Sequence, residues 1–135
     1  MCDPCVEVRD FGGGLTTAAV GDLSDQAVVE QFVGSTLETY GTIDVLVNNA
    51  GIMNNMIGPH ELSDEMWERL ISVNFTKTGK MMRAVIPHML THAKGAIVNT
   101  ACEVGLRGSA AGTAYTVSMH GIIGLTKSAA IGASA

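Results

Sequence analysis

The chain has 135 residues, 47% of them hydrophobic, and a formal net charge of −5 at pH 7. This length suits one domain with a modest core. The apolar content excludes a disordered chain, and the acidic balance excludes a nucleic-acid partner. No apolar run reaches the roughly 18 residues of a membrane span, and the first ten residues lack the apolar stretch of a signal peptide. We therefore expect a cytoplasmic protein with reduced thiols and no membrane partner.

Residues 1–17 predict a poorly specified lead-in to one domain over 18–135. Cys2 and Cys5 form a CxxC pair, a pattern found in zinc and redox sites. A structural zinc site needs two further ligands, and the sequence has no second CxxC. His88 and His92 are one helical turn apart but have no evident third ligand. We predict no metal site, and we interpret the CxxC pair as part of a frayed terminus.

Turn and capping residues divide the next stretch of the chain into elements. A strand at 15–20 precedes a helix that Ser24 caps and Gly41 ends. The apolar run at 43–47 predicts a short buried strand, which the turn at 48–51 closes.

A second set of elements completes the pattern. Ser63 caps a long helix that reaches about residue 90, and its apolar stripe is interrupted by Lys77, Gly79 and Lys80. A buried strand at 96–100 and a last helix at about 113–131 follow. Alternating strands and helices predict an α/β layer fold with parallel strands and sites at the strands' carboxyl ends.

Five pieces of the sequence match one protein family. Over about residues 18–131, the chain resembles the short-chain dehydrogenase/reductase family in Asp22 of GDLSD, NNAG at 48–51, Asn74 of SVNF, GAIVNTA at 95–101, and Tyr115 with GLTKS at 124–128. The resemblance implies a partial Rossmann-like parallel sheet with flanking helices, comprising the family's strands 3 to 5. It also implies an NAD or NADP cofactor and a small-molecule alcohol or carbonyl substrate that exchanges hydride with the cofactor.

The resemblance assigns cofactor contacts to two places. Asp22 is similar to a family residue that contacts the adenine ring, although the same Asp could simply begin a helix. Asn48, Ala50 and Gly51 belong to the turn that holds the central strand in the family and lets the cofactor approach closely.

The resemblance makes Tyr115 the general acid/base, with Asn74 holding a water of a proton relay. Asn74 could instead bond only to the backbone. A free Tyr is phenolate in only about one molecule in a thousand at neutral pH. The family lowers the Tyr pKa with a Lys four residues later, and Met119 stands there in this chain. Lys127 cannot substitute, because twelve residues of helix span roughly 18 Å.

Cys102 stands at the family's Ser position, thirteen residues before the Tyr. A thiol is a weak hydrogen-bond donor, so polarisation of a substrate carbonyl is expected to be weak. No residue near Cys102 in sequence would activate it as a nucleophile, and we interpret it as a small core residue.

The family's Gly-rich cofactor turn, TGxxxGxG, does not occur in this sequence. The family's sheet order also places two strands, a gap of roughly 14 Å, between those that match 15–20 and 43–47. The chain must close this gap, borrow strands from a partner, or leave the sheet partly open.

These observations predict an NAD(P)-dependent oxidoreductase that is inactive or weakly active as an isolated chain. The alternatives are a non-catalytic family member that acts through protein contacts, and a fragment without function. The family's pairing helices correspond to 64–90 and 113–131, so we expect a homo-oligomer formed through them.

Overall fold

The computed structural model describes residues 7–11, 14–53, 55–108 and 111–132. In chain order its elements are β1 (Glu7–Phe11), β2 (Gly14–Ala18), α1 (Gln26–Tyr40), β3 (Val45–Asn48), α2 (Asp64–Leu70), a π-helical segment (Ile71–Thr76), α3 (Lys77–Thr91), β4 (Ala96–Asn99), a 3-10 turn (Glu103–Gly105) and α4 (Thr113–Gly132). The predicted α/β class is confirmed. The CxxC of Cys2 and Cys5 lies outside the described residues.

The first two strands form a hairpin of their own. β1 and β2 pair antiparallel, with Glu7 opposite Ala18. β2 overlaps the strand expected at 15–20, but it does not pair with β3 in the described part of the chain. A local hairpin closes a much shorter loop than a pairing across α1, so its entropic cost is lower. The gap foreseen between these strands is therefore left open.

β3 and β4 form a parallel pair with Val45 opposite Ala96 and Asn48 opposite Asn99. Leu46 points into the core, whereas Val45 and Val47 are exposed on the other face. The core on the inner face joins β3 to α1 and α3, and α4 contributes partly buried residues to it. These three helices therefore cover one face of the sheet.

Local capping explains where the helices begin and end. Gly41, with φ of 76°, ends α1, and the Ser63 hydroxyl accepts the Met66 N–H at the start of α2, as predicted. The prediction that Ser24 caps α1 was wrong by one residue, because the Asp25 carboxylate accepts the Ala27 N–H. Ser24 instead donates its N–H to the Asp22 carboxylate.

The long helix expected from residue 63 is interrupted at 71–76 by the π-helical segment. Asn74 lies in this segment and is buried. α4 packs closely on the same segment, since a Cβ added at Gly121 would lie 2.9 Å from Phe75 Cδ2. Within the described residues, no helix is long and apolar enough to cross a membrane.

Two glycines of α1 and its cap provide a matched stability test. Gly34 lies inside α1 with open space around a built Cβ, whereas Gly41 has φ of +76°. We expect Gly34→Ala to raise the free energy of unfolding by about 0.5 kcal/mol and Gly41→Ala to lower it by about 1 kcal/mol. Urea denaturation measures both, and shifts of the same sign would contradict the assigned end of α1.

Candidate active site

A cavity of about 180 Å³ lies where the carboxyl ends of β3 and β4 meet α4. Six of the residues expected at the site line it: Asn48, Ala50, Gly51, Asn74, Tyr115 and Met119. Cys102 packs beside Tyr115 and Met119 rather than lining the cavity. Asp22 is also outside the lining. Topology therefore gathers most of the expected residues at one edge of the sheet.

Hydrogen bonds of the Asn74 side chain join the loop after β3 to the π-helical segment, and we call them the Asn74 clamp. The Asn74 side chain is 1% exposed; the amide oxygen accepts the Ile52 N–H at 2.8 Å, and the amide nitrogen donates to the Ile52 carbonyl at 2.8 Å. The same nitrogen donates to Ser118 Oγ at 3.3 Å. A Cβ added at Gly51 would lie only 3.3 Å from the Asn74 amide oxygen, so this clamp favours glycine there.

The turn at 48–51, called the strand-end turn below, is also bonded to β4 and the residue after it. The Asn48 side chain donates to that of Asn99 at 2.9 Å, and the Thr100 hydroxyl donates to that of Asn49 at 2.9 Å. These side-chain bonds extend the parallel ladder beyond the strands. They hold the ends of β3 and β4 together at the rim of the cavity.

The surroundings of Tyr115 favour the neutral phenol. Partial burial raises the pKa of Tyr115, and the charge of the neighbouring Cys102 and a hydrogen bond to its sulfur raise it further. Met119 is 5% exposed and packs with Val104 and Ile122. Its thioether therefore fills the position of the expected cation with an apolar contact, which leaves the phenol without the stabilisation that would lower its pKa.

Asp22 lies in the turn that precedes α1 and its cap Asp25, and it is exposed. Its carboxylate accepts the Ser24 N–H at 2.9 Å, and this hydrogen bond is the main cause of its lowered pKa. The structure thus gives Asp22 a role in the turn that leads into the helix. A contact with an adenine ring stays a prediction.

Lys77, which in the sequence only interrupts an apolar stripe, bonds to the turn beside the cavity without lining the cavity. It is 4% exposed, and its ammonium donates to the Ala50 carbonyl of the strand-end turn. Burial lowers the pKa of Lys77. A lysine among the apolar residues of a helix was the one signal available in the sequence.

A model of the short chain dehydrogenase family matches residues 5–133. The chain belongs to this family. A short-chain dehydrogenase/reductase of Talaromyces verruculosus is 41% identical over 111 residues, which cover 82% of this chain and 43% of that protein. The 3beta-hydroxysteroid dehydrogenase 2 of Eggerthella lenta is 37% identical over 125 residues, 92% of this chain and 48% of that protein. The chain thus spans less than half the length of these relatives.

Solved structures of short-chain dehydrogenases share the fold. An NAD+-bound xylitol dehydrogenase superposes with a TM-score of 0.81 at 32% identity, covering 85% of this chain and 44% of that one. A metagenomic short-chain oxidoreductase in complex with NADP gives 0.77 at 36% identity, over 82% of this chain and 50% of that one. These likenesses confirm the partial Rossmann-like fold.

The Asn74 clamp can be tested by its loss. We expect Asn74→Ala to lower the free energy of unfolding by about 2 kcal/mol, because the partly buried backbone groups of Ile52 lose their partners. Asn55→Ala in the same loop is the control, since its side chain is exposed. Urea denaturation compares the two variants, and equal losses would contradict the clamp.

Proposed function

We propose that this chain carries the acid/base part of an NAD(P)-dependent oxidoreductase site. The reaction is alcohol–carbonyl interconversion of a small molecule by hydride transfer, and the chain alone performs it weakly or not at all. The observation that carries the proposal is the single cavity in which Tyr115, Asn74 and the strand-end turn meet while Met119 takes the cation's place. Tyr115, Asn74 and the strand-end turn support the reaction type, and Met119 supports the weak activity.

The residues at the carboxyl end of β3 fit the close approach of a nicotinamide dinucleotide. Ala50 and Gly51 are small and exposed at the rim, so their main chain is open to close approach. Asp22 would contact the adenine end through its exposed carboxylate. The bound nicotinamide would donate or accept the hydride. Solved relatives bound to NAD+ and to NADP support either nucleotide.

The protonation state of Tyr115 determines whether residual activity would favour carbonyl reduction or alcohol oxidation. Because its pKa is raised, the phenol keeps its proton at neutral pH and can donate it to a carbonyl oxygen. Alcohol oxidation needs the phenolate, which stays below about one molecule in a thousand at that pH. The Cys102 thiol polarises a carbonyl only weakly. Slow reduction is therefore the expected reaction.

A second candidate is a non-catalytic family member that acts through protein contacts in the cytosol. Four large hydrophobic side chains are exposed on α2, α3 and α4, namely Trp67, Leu90, Val117 and Ile131. Exposed apolar surface on helices 64–90 and 113–131 favours a homo-oligomer through them.

Nucleotide binding separates the two candidates. We expect the thermal unfolding temperature to rise with NADH or NADPH, since a ligand of the native state at a hundredfold excess over its Kd adds about 2.7 kcal/mol. Asp22→Asn should weaken the shift, and Asp64→Asn, at the exposed start of α2, should not. Cooperative unfolding with no shift from either nucleotide would favour the contact protein instead.

The position of Met119 gives a second test of the site. In a Tyr40→Phe background, phenolate absorbance reports Tyr115 alone. We expect Met119→Lys to lower the pKa of Tyr115, because an ammonium nearby favours phenolate, whereas Met119→Leu should leave it above its ordinary value. The same pKa in both variants would mean that residue 119 does not face the phenol.

A further inference from the structure

Two lysines at the start of α3 each donate an ammonium to a backbone carbonyl of a different turn. Lys77 donates to the Ala50 carbonyl of the strand-end turn, and Lys80 donates to the Ser24 carbonyl in the turn before α1. Residues three apart on a helix lie on the same face. Both lysines interrupt the apolar stripe in the sequence, and these two contacts explain the interruption.

The two turns are the ones that the proposed function assigns to the nucleotide. Residues 22–25, called the Asp22 turn below, carry the carboxylate expected at the adenine end, and the strand-end turn carries the small residues that are open to close approach. The Asp22 carboxylate accepts the Ser24 N–H at 2.9 Å, and the Asp22 carbonyl accepts the Asp25 N–H at 2.9 Å. An anchor at the Ser24 carbonyl therefore holds the residue whose N–H orients the Asp22 carboxylate.

The helix that carries both lysines is well supported by packing. Buried apolar residues of α1, α3 and β3 form one core, namely Val29, Val33, Leu46, Met81 and Val85. Lys77 is 4% exposed and Lys80 is half-buried, so neither ammonium moves freely in solvent. Hydrogen bonds with a charged donor are stronger than neutral ones. A packed helix with two such bonds can therefore hold both turns in place.

We propose that Lys77 and Lys80 are positioning residues of the nucleotide site, each holding one of the two nucleotide-contacting turns at a fixed place relative to α3. Neither ammonium needs to contact the nucleotide, because each acts through a backbone carbonyl. The inference rests on the nucleotide site proposed above and adds two residues to it. If the loss of one anchor leaves its turn in the binding position for about a tenth of the time, the apparent affinity falls about tenfold.

Fluorescence titration of the full 135-residue chain with NADH measures this effect. Lys77→Met and Lys80→Met should each weaken binding about tenfold. Arg83→Met is the control, since Arg83 is exposed on the same helix and donates to the Gln26 side chain rather than to either turn. Lys80→Arg should keep the affinity, because a guanidinium still donates to the Ser24 carbonyl. Equal affinities in all four variants and the unmodified chain would overturn the proposal.

The stability of Lys77→Met separates positioning from a general structural role. Burial lowers the pKa of Lys77, which reflects the cost of its charge there. Replacing a buried charge by an apolar side chain of similar size is often neutral or stabilising. Lys77→Met should thus keep or raise the urea midpoint of unfolding while it weakens NADH binding. A fall in both would assign Lys77 to overall stability and would overturn the proposal.

Amide hydrogen exchange tests the two anchors without a nucleotide. Lys80→Met should speed exchange of the Ser24 and Asp25 N–H groups and leave that of Ile52, next to the strand-end turn, unchanged. Lys77→Met should do the reverse. Exchange that neither variant changes, or that both change alike, would overturn the proposal even where NADH binds. If the unmodified chain binds no NADH, the proposed function fails, and the exchange pattern alone decides whether the lysines hold the turns.

Discussion

The amide of Asn74, bonded to both backbone groups of Ile52, is the interaction on which the rest of the site depends. Without it, Ile52 would lose both of its hydrogen bonds to the π-helical segment. The π-helical segment carries this side chain, and π-helical turns are frequent at functional sites. Through Ser118, whose hydroxyl donates to the Tyr115 carbonyl, the same amide is linked to the helix that bears the phenol.

Features that depend on a few neighbouring residues could be predicted from the sequence. Gly41 ends α1 because only its backbone tolerates φ of 76° easily, and Ser63 caps α2 with its own hydroxyl. The family motifs marked Tyr115 and Asn74, and both line one cavity with the turn at the end of β3. The strand-end argument placed Asp22 and Cys102 at the same edge, and neither lines that cavity. Features that depend on distant packing could not be predicted. The π-helical segment is of this kind, and the burial of Lys77 depends on which side chains cover it. The β1–β2 hairpin is local, but the family resemblance had assigned residues 15–20 to the main sheet.

Met119 puts an apolar side chain where the family resemblance leads us to expect a lysine. The thioether joins Val104 and Ile122 in a small apolar cluster against which Tyr115 and Cys102 pack. The cluster stabilises the start of α4, and it also withdraws the phenol from water, which raises the pKa of Tyr115. Apolar packing at Met119 thus takes the position from which a positive charge would lower the pKa of Tyr115.

The buried Lys77 does not restore the charge that Met119 removes. Its ammonium donates to the Ala50 carbonyl, and Lys77 is not among the residues that line the cavity with Tyr115. The pKa of Tyr115 responds to burial and to Cys102, and Lys77 is not among its causes. The charge of Lys77 therefore acts on the strand-end turn and not on the phenol of Tyr115.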